Sequence, residues 1–261
     1  MKIVFYLFLF LLSISAFGQA DSLDREVSEL LQKAKTHQLS KEELKEVRTV
    51  ATNIQNRGFT LEEGKQDYAG SLAEINKSLN IWYQLRDTFG TANLLKYKGY
   101  LLGHLDKFTD AKIKIDSAIY LFKAVKYPSG VAVSELDLSR VYEMESNLDS
   151  ALTCAAMTIP FWKTQKDTFR IITSGNQVIN LCLKMKKYDQ ASSMQQELTP
   201  LLAKKYLYWQ PVIEFYFLSI QLFKKLSQRE TGHQYQLLYQ DKLTSLKADN
   251  ITPVIRYGQY P

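Results

Sequence analysis

The chain has 261 residues, of which 46% are hydrophobic and 23% charged, with a formal net charge of +6. That length suits one large domain or a solenoid and is too great for a minimal domain. The basic balance favours acidic partners, an anionic membrane or a glycan, although lysines clustered at Lys184, Lys186, Lys187, Lys204, Lys205, Lys224 and Lys225 read first as solvated helix faces.

The amino terminus begins Met1-Lys2 and runs directly into the apolar stretch Ile3 to Leu12, followed by Ser13, Ser15, Ala16 and Gly18. One positive charge, an apolar run of about 10–15 residues and small residues at a cleavage point define a secretory signal peptide. Cleavage is expected after Gly18, with Ala20 as the alternative. An uncleaved anchor is the competing reading, but the run is short of the ~20 residues a spanning helix needs. No later stretch spans a membrane: Tyr206 to Leu222 comes nearest, and Gln210, Pro211, Glu214 and Gln221 interrupt it. The expected location is therefore secreted or periplasmic.

Beyond the signal, residues 19–66 hold two amphipathic helices, Leu23 to His37 and Lys41 to Asn56, with Arg57-Gly58-Phe59 placed where a first helix would end or kink. From residue 67 to 206 the chain repeats every 40 residues: Ser71 to Gly90, Ala111 to Gly130 and Ala151 to Arg170 align without a gap, and Ala191 onward matches more loosely. Four columns carry the match. They are Tyr68, Phe108, Leu148 and Tyr188; Ser71, Ala111, Ala151 and Ala191; Leu79, Ile119 and Ile159; and Trp82, Phe122, Trp162 and Leu202. Ile75, Leu79 and Trp82, like Ile115, Ile119 and Phe122, fall at i, i+4 and i+7, one stripe of a helix. Gly90 and Gly130 suggest helix ends, where a left-handed residue is wanted, and Pro128 reinforces a break. Each unit is thus two helices joined by short turns. Pro160 recurs as Pro200 within the second helices and predicts that these are bent or shortened. Residues 207–249 read as a degenerate unit with Pro211 in the first turn of a helix to Leu226 and Tyr235 to Leu246 as its partner; 250–261 is a tail.

Lys107-Phe108-Thr109-Asp110-Ala111 with Ser117-Ala118-Ile119-Tyr120 resembles the tetratricopeptide repeat, as do Asn147 to Ala151 and Lys187 to Ala191. Gly99 and Ser139 occupy that family's small position on the first helix, and Tyr142 its aromatic position. The 40-residue period is similar to that of a long-helix branch of the family, and the signal's Ala16-Phe17-Gly18-Gln19 is similar to those of Bacteroidetes. Lys98, Glu135 and Gly175 depart from the family pattern. The resemblance implies an all-α, right-handed superhelical solenoid of antiparallel helix pairs whose first helices line a concave groove.

Groove positions carried over from the family fall on Asn93, Lys96, Tyr100 and His104; on Val133, Leu136, Arg140 and Glu143; and on Thr173, Asn176, Asn180 and Lys184. Their amides, charges and phenol suit a protein or peptide ligand, and Lys96, Arg140 and Lys184 resemble carboxylate-clamping residues of some relatives. The expected function is an extracytoplasmic scaffold holding a protein or peptide. The alternative is a stand-alone or truncated sensory region of a membrane-bound regulator.

Catalysis has little support. His37, His104 and His233 lie far apart, and Cys154 and Cys182 match no metal spacing. There is no nucleophile elbow, phosphate loop or dinucleotide fingerprint. Glu42-Glu43 and Glu62-Glu63 are consecutive, on different helix faces, and read as solvated surface. The chain is therefore expected to be no enzyme, with no cofactor, metal or nucleic acid. The cysteines fall on neighbouring helices and could pair, though buried free thiols are the favoured reading.

Overall fold

The computed structural model describes residues 39–203 and 209–248, together with Glu29 and Gln32. The signal peptide, the helix from Leu23 to His37 apart from those two residues, and the tail lie outside the described residues. The rest is all helical: α1 Lys41–Lys65, α2 Tyr68–Gln84, α3 Thr88–His104, α4 Phe108–Ala124, α5 Pro128–Met144, α6 Leu148–Gln165, α7 Thr168–Lys184, α8 Tyr188–Leu198, α9 Trp209–Lys225 and α10 Arg229–Ala248, with a short 3-10 turn Thr199–Ala203 after α8. Two compact units divide the chain, Met1–Tyr127 and Pro128–Pro261. Within each, consecutive helices pack as pairs.

Helices α2, α3, α4, α5 and α7 are each 17 residues long. Within each unit the connections are short enough to make sequential neighbours antiparallel. Their geometry is shared. Gln66, Arg86, Asp106, Lys126, Ser146, Lys166 and Lys186 all have positive φ, one every 20 residues. The next residue's N–H reaches back to the carbonyl five positions earlier, as in Asp87 to Trp82 at 3.1 Å, Lys107 to Leu102 at 2.9 Å and Lys187 to Cys182 at 2.8 Å. These are Schellman closures, and none uses glycine.

Gly90 and Gly130 do not end helices, contrary to the sequence expectation. Each is the third residue of a helix, α3 or α5. A Cβ on Gly90 would lie 2.6 Å from Trp82 Cε3, so this glycine lets the helix start approach the ring. The Asp87 carboxylate caps the same turn by accepting from the Gly90 N–H at 2.8 Å. Asp67, Asn147 and Asp167 cap α2, α6 and α7 in the same way.

The prolines behave differently from each other. Pro160 lies inside α6, which runs its full 18 residues and is not shortened. In α8 the helix stops after 11 residues, and Pro200 falls in the 3-10 turn that follows. Nor does α1 end at Gly58: it runs 25 residues, to Lys65. Gly58 is buried instead, and a Cβ there would meet Ile75 and the Ser71 carbonyl at 3.2–3.3 Å. Pro211 is in the first turn of α9 as expected, while α10 begins before Tyr235, at Arg229.

The small repeat column and the apolar stripe beside it form the core, while Tyr68, Phe108, Leu148 and Tyr188 are half-buried. Ala111, Ala151 and Ala191 are fully buried, as are Ile75, Ile115, Ala155 and Phe122, and Trp162 nearly so. The small column lets helices touch: Ser139 Oγ donates to the Ala151 carbonyl at 2.7 Å, and a Cβ on Gly99 would be 2.8 Å from the Ala111 carbonyl. Gly175 breaks the pattern because Leu198 fills its space, with Leu198 Cδ1 at 2.6 Å from a would-be Cβ. Leu198 stands in the column of Ser78, Ala118 and Thr158, so large and small have changed places across α7 and α8. Cys154 and Cys182 are free thiols.

Candidate binding surface

The groove candidates sit on first helices: Asn93, Lys96, Tyr100 and His104 on α3; Val133, Leu136, Arg140 and Glu143 on α5; Thr173, Asn176, Asn180 and Lys184 on α7. In the first unit Asn93 Nδ2 donates to the Phe89 carbonyl at 3.2 Å, and Lys96 is half-buried. Tyr100 reaches α1, where its phenol donates to Glu62 at 3.2 Å. The Tyr97 phenol donates to the other oxygen of the same carboxylate, also at 3.2 Å. Glu62 is half-buried and is therefore not the solvated surface residue its sequence neighbourhood implies.

Aromatic rings continue from that carboxylate. Phe59 meets Tyr97 edge-on at 4.5 Å, Tyr97 stacks on Tyr100 at 5.8 Å, and Tyr100 meets His104 edge-on at 4.6 Å. His104 lies flat on Tyr68, with centroids 4.2 Å apart and 4° between planes. Burial pushes the His104 pKa below its ordinary value, so the ring is neutral at pH 7. Burial, reinforced by the Glu62 charge, pushes the Tyr97 and Tyr68 phenols up. Both phenols therefore remain protonated donors.

The second unit uses the same positions with different chemistry. Glu143, its side chain only 13% exposed, accepts from Gln177 Nε2 at 2.7 Å, Asn180 Nδ2 at 2.6 Å and Lys184 Nζ at 2.6 Å. Glu143, Asn180 and Lys184 are thus brought together as one internal network. Arg140 pairs with Asp137 on its own helix at 2.5 Å, with both side chains mostly buried at 16% and 10% exposure. Asn176 is fully buried, and its Nδ2 donates to the Pro211 carbonyl at 2.8 Å, tying α7 to α9. Leu136 is buried, and Thr173 bonds the Phe169 carbonyl of its own helix at 2.9 Å.

Sequence reasoning missed Glu62, Tyr97 and Gln177. The signal was present in register: Gly58 meets the Ser71 carbonyl as Gly99 meets that of Ala111 and Ser139 that of Ala151. Helix α1 is thus the first helix of a full pair, displaced by one residue from the 40-residue period, and Glu62 falls in the column of Gly103 and Glu143.

Among the described residues no helix is long and apolar enough to cross a membrane, and no group of three or more His, Cys, Asp or Glu side chains is placed to hold a metal.

This architecture is that of a tetratricopeptide-like helical repeat protein. Solved structures of the same fold include BtubC (BKLC) from P. vanneervenii, with a TM-score of 0.64 and 12% identity over 92% of this chain and 97% of that one. The tetratricopeptide-like repeats of a putative kinesin light chain from Podosopora anserina follow, with a TM-score of 0.57 and 9% identity over 82% and 100%. PilF of Pseudomonas aeruginosa gives a TM-score of 0.50 and 14% identity over 89% and 99%. At such identities the likeness is one of fold. No protein-family model and no curated protein matches the sequence.

Proposed function

We propose that the protein is an exported interaction scaffold that holds a protein or peptide against the first helices of its repeats. One observation carries this reading. Columns that face the core repeat in kind, whereas polar columns of the first helices change from repeat to repeat: Tyr97, Asp137, Gln177; Tyr100, Arg140, Asn180; His104, Met144, Lys184. Packing alone asks for repetition; Asp137, Gln177 and Asn180 are buried, but Tyr97, Tyr100, His104, Arg140, Met144 and Lys184 keep some exposure, and variation at such positions is what a specific ligand asks for. The export reading rests on the pattern Met1 to Gly18, and no sequence motif argues for catalysis.

In the second unit the internal pairing of Glu143 and the burial of Asn176 leave their side chains to the fold, so the contact surface centres on α3, with Asn93, Lys96 and Tyr100. The test is affinity capture from the native envelope fraction with wild-type protein, an Asn93→Asp plus Lys96→Glu variant on α3, and a Lys123→Glu control on α4. The scaffold reading expects a discrete polypeptide retained by wild type and control and lost from the α3 variant. Equal retention by all three would remove α3 as the contact face.

A further inference from the structure

The chain carries one polar arrangement twice, and the two copies differ above all in whether a cation completes them. In the second unit Glu143 on α5 accepts from Gln177, Asn180 and Lys184 on α7, all at 2.6–2.7 Å. Allowing for the one-residue displacement of α1, Glu62 occupies the Glu143 position. Two periods separate Tyr97, Tyr100 and His104 from Gln177, Asn180 and Lys184. Two of the three donors are therefore matched, since Tyr97 and Tyr100 both donate to Glu62. The third is not. Where Lys184 supplies an ammonium, the first unit has His104, whose ring is stacked on Tyr68 and whose basicity is reduced by burial. Between Glu62 and Glu143 the same column holds Gly103, which carries no carboxylate.

Glu62 makes no ion pair among the described residues; its partners are the two phenols. Both bonds are 3.2 Å long, whereas a hydroxyl on a carboxylate ordinarily sits at about 2.5–2.7 Å. A carboxylate has room for about four donors, so Glu62 retains acceptor capacity as well as uncompensated charge. Around it Phe59, Tyr97, Tyr100 and Tyr68 form an aromatic wall, every ring half-buried and none fully enclosed. Electron-rich ring faces beside a carboxylate attract an organic cation and repel an anion.

We infer that Glu62, with Tyr97 and Tyr100, is the docking point for a lysine or arginine side chain of the bound polypeptide, the ligand supplying in trans the cation that Lys184 supplies in cis to Glu143. This rests on the scaffold reading above and narrows it to a basic segment.

The test is an NMR titration of the purified chain with tyrosine-ring labels. The probes are capped pentapeptides, Gly-Ala-X-Ala-Gly, in which X is lysine, arginine, norleucine or glutamate. Lysine or arginine peptides should shift the Tyr97 and Tyr100 rings saturably, and norleucine and glutamate peptides should bind about tenfold more weakly or worse. Glu62→Gln should weaken the cationic peptides by about tenfold or more. His104→Lys keeps the carboxylate but restores the internal cation, and should weaken them similarly in a protein that still melts cooperatively. Glu143→Gln should leave the titration unchanged. Equal binding of norleucine and lysine peptides, no saturable shift at either ring, or indifference to Glu62→Gln would each overturn the inference. Partner capture that survives Glu62→Gln would remove this site while leaving the scaffold reading intact.

Discussion

Gly99 and Gly64 show how one residue type serves opposite ends. A Cβ on Gly99 would lie 2.5 Å from Ile115 Cγ1 and 2.8 Å from the Ala111 carbonyl, whereas nothing lies within 4 Å of one on Gly64. Gly99→Ala must push α3 from α4 and should cost about 1–3 kcal/mol. Gly64→Ala, in α1, should add about 0.4–1 kcal/mol by restricting the unfolded chain. Denaturant midpoints for the two variants check both signs. The sequence reading places Gly99 correctly at a close approach because its column is small in the next repeat. It misplaces Gly90, because the Trp82 ring that excludes a side chain there belongs to the preceding helix, and local sequence does not record which ring lies above which backbone.

His104 gives a pH prediction at the same scale. Its pKa is below the ordinary value for histidine, about 6.5, because burial among Tyr68 and Tyr100 penalises the charged ring. The unfolded chain then binds more protons in this range, so stability rises with pH. The contribution is complete above about pH 6.5 and is lost as pH falls through the lower folded value. The melting temperature should drop on acidification from pH 7, and His104→Gln should flatten that part of the curve. An unchanged slope in the variant would contradict the assignment.

At the level of elements, the turns place non-glycine residues in the left-handed region every 20 residues. That conformation costs an L-residue about 1–2 kcal/mol, part of which glycine would give back in unfolded-state entropy. Lys186→Gly, with Lys186 at φ 59, should therefore raise stability by up to about 1 kcal/mol, readable as a shifted denaturant midpoint. Helix length was legible from the period, but the helix ends were not, because Schellman closure is written in backbone bonds and chain direction rather than in residue type. The two prolines make the same point. After Pro160, Trp162 is 2% exposed and carries the Arg170 guanidinium 4.7 Å from its ring centroid, which anchors the last turn of α6. After Pro200, Leu201 and Leu202 are only half-buried, and the helix gives way to a 3-10 turn.

The exchange of large and small between Gly175 and Leu198 also belongs to this scale. Leu198→Ala should destabilise by about 2–5 kcal/mol, and Gly175→Ala should cost about 1–3 kcal/mol by overpacking. The double variant should be markedly more stable than the sum of the two changes implies, since the added methyl then meets vacated space. Strict additivity in a double-mutant cycle would contradict the swap.

For the whole molecule, the fold was legible because its core columns recur without a gap over three units, and buried Ile75, Ile115, Ala111, Ala151 and Trp162 confirm those columns. Less of the candidate surface was legible. The family positions fall on α3, α5 and α7, but there Asn176 is committed to α9 and Lys184 to Glu143. Neither commitment follows from residue type, since a buried amide and a groove amide look alike in sequence. The Glu62 cluster stayed hidden behind a one-residue displacement that changes the helix face on which every α1 side chain falls.

The central claim is that a polypeptide lies along the first helices, above all α3. Photo-crosslinking residues introduced at positions 93 and 96 on α3, and at 116 and 123 on α4, test it directly in the native envelope. The account predicts a discrete polypeptide adduct from the α3 positions and none from α4. Adducts from α4 alone, or none from α3, would contradict it.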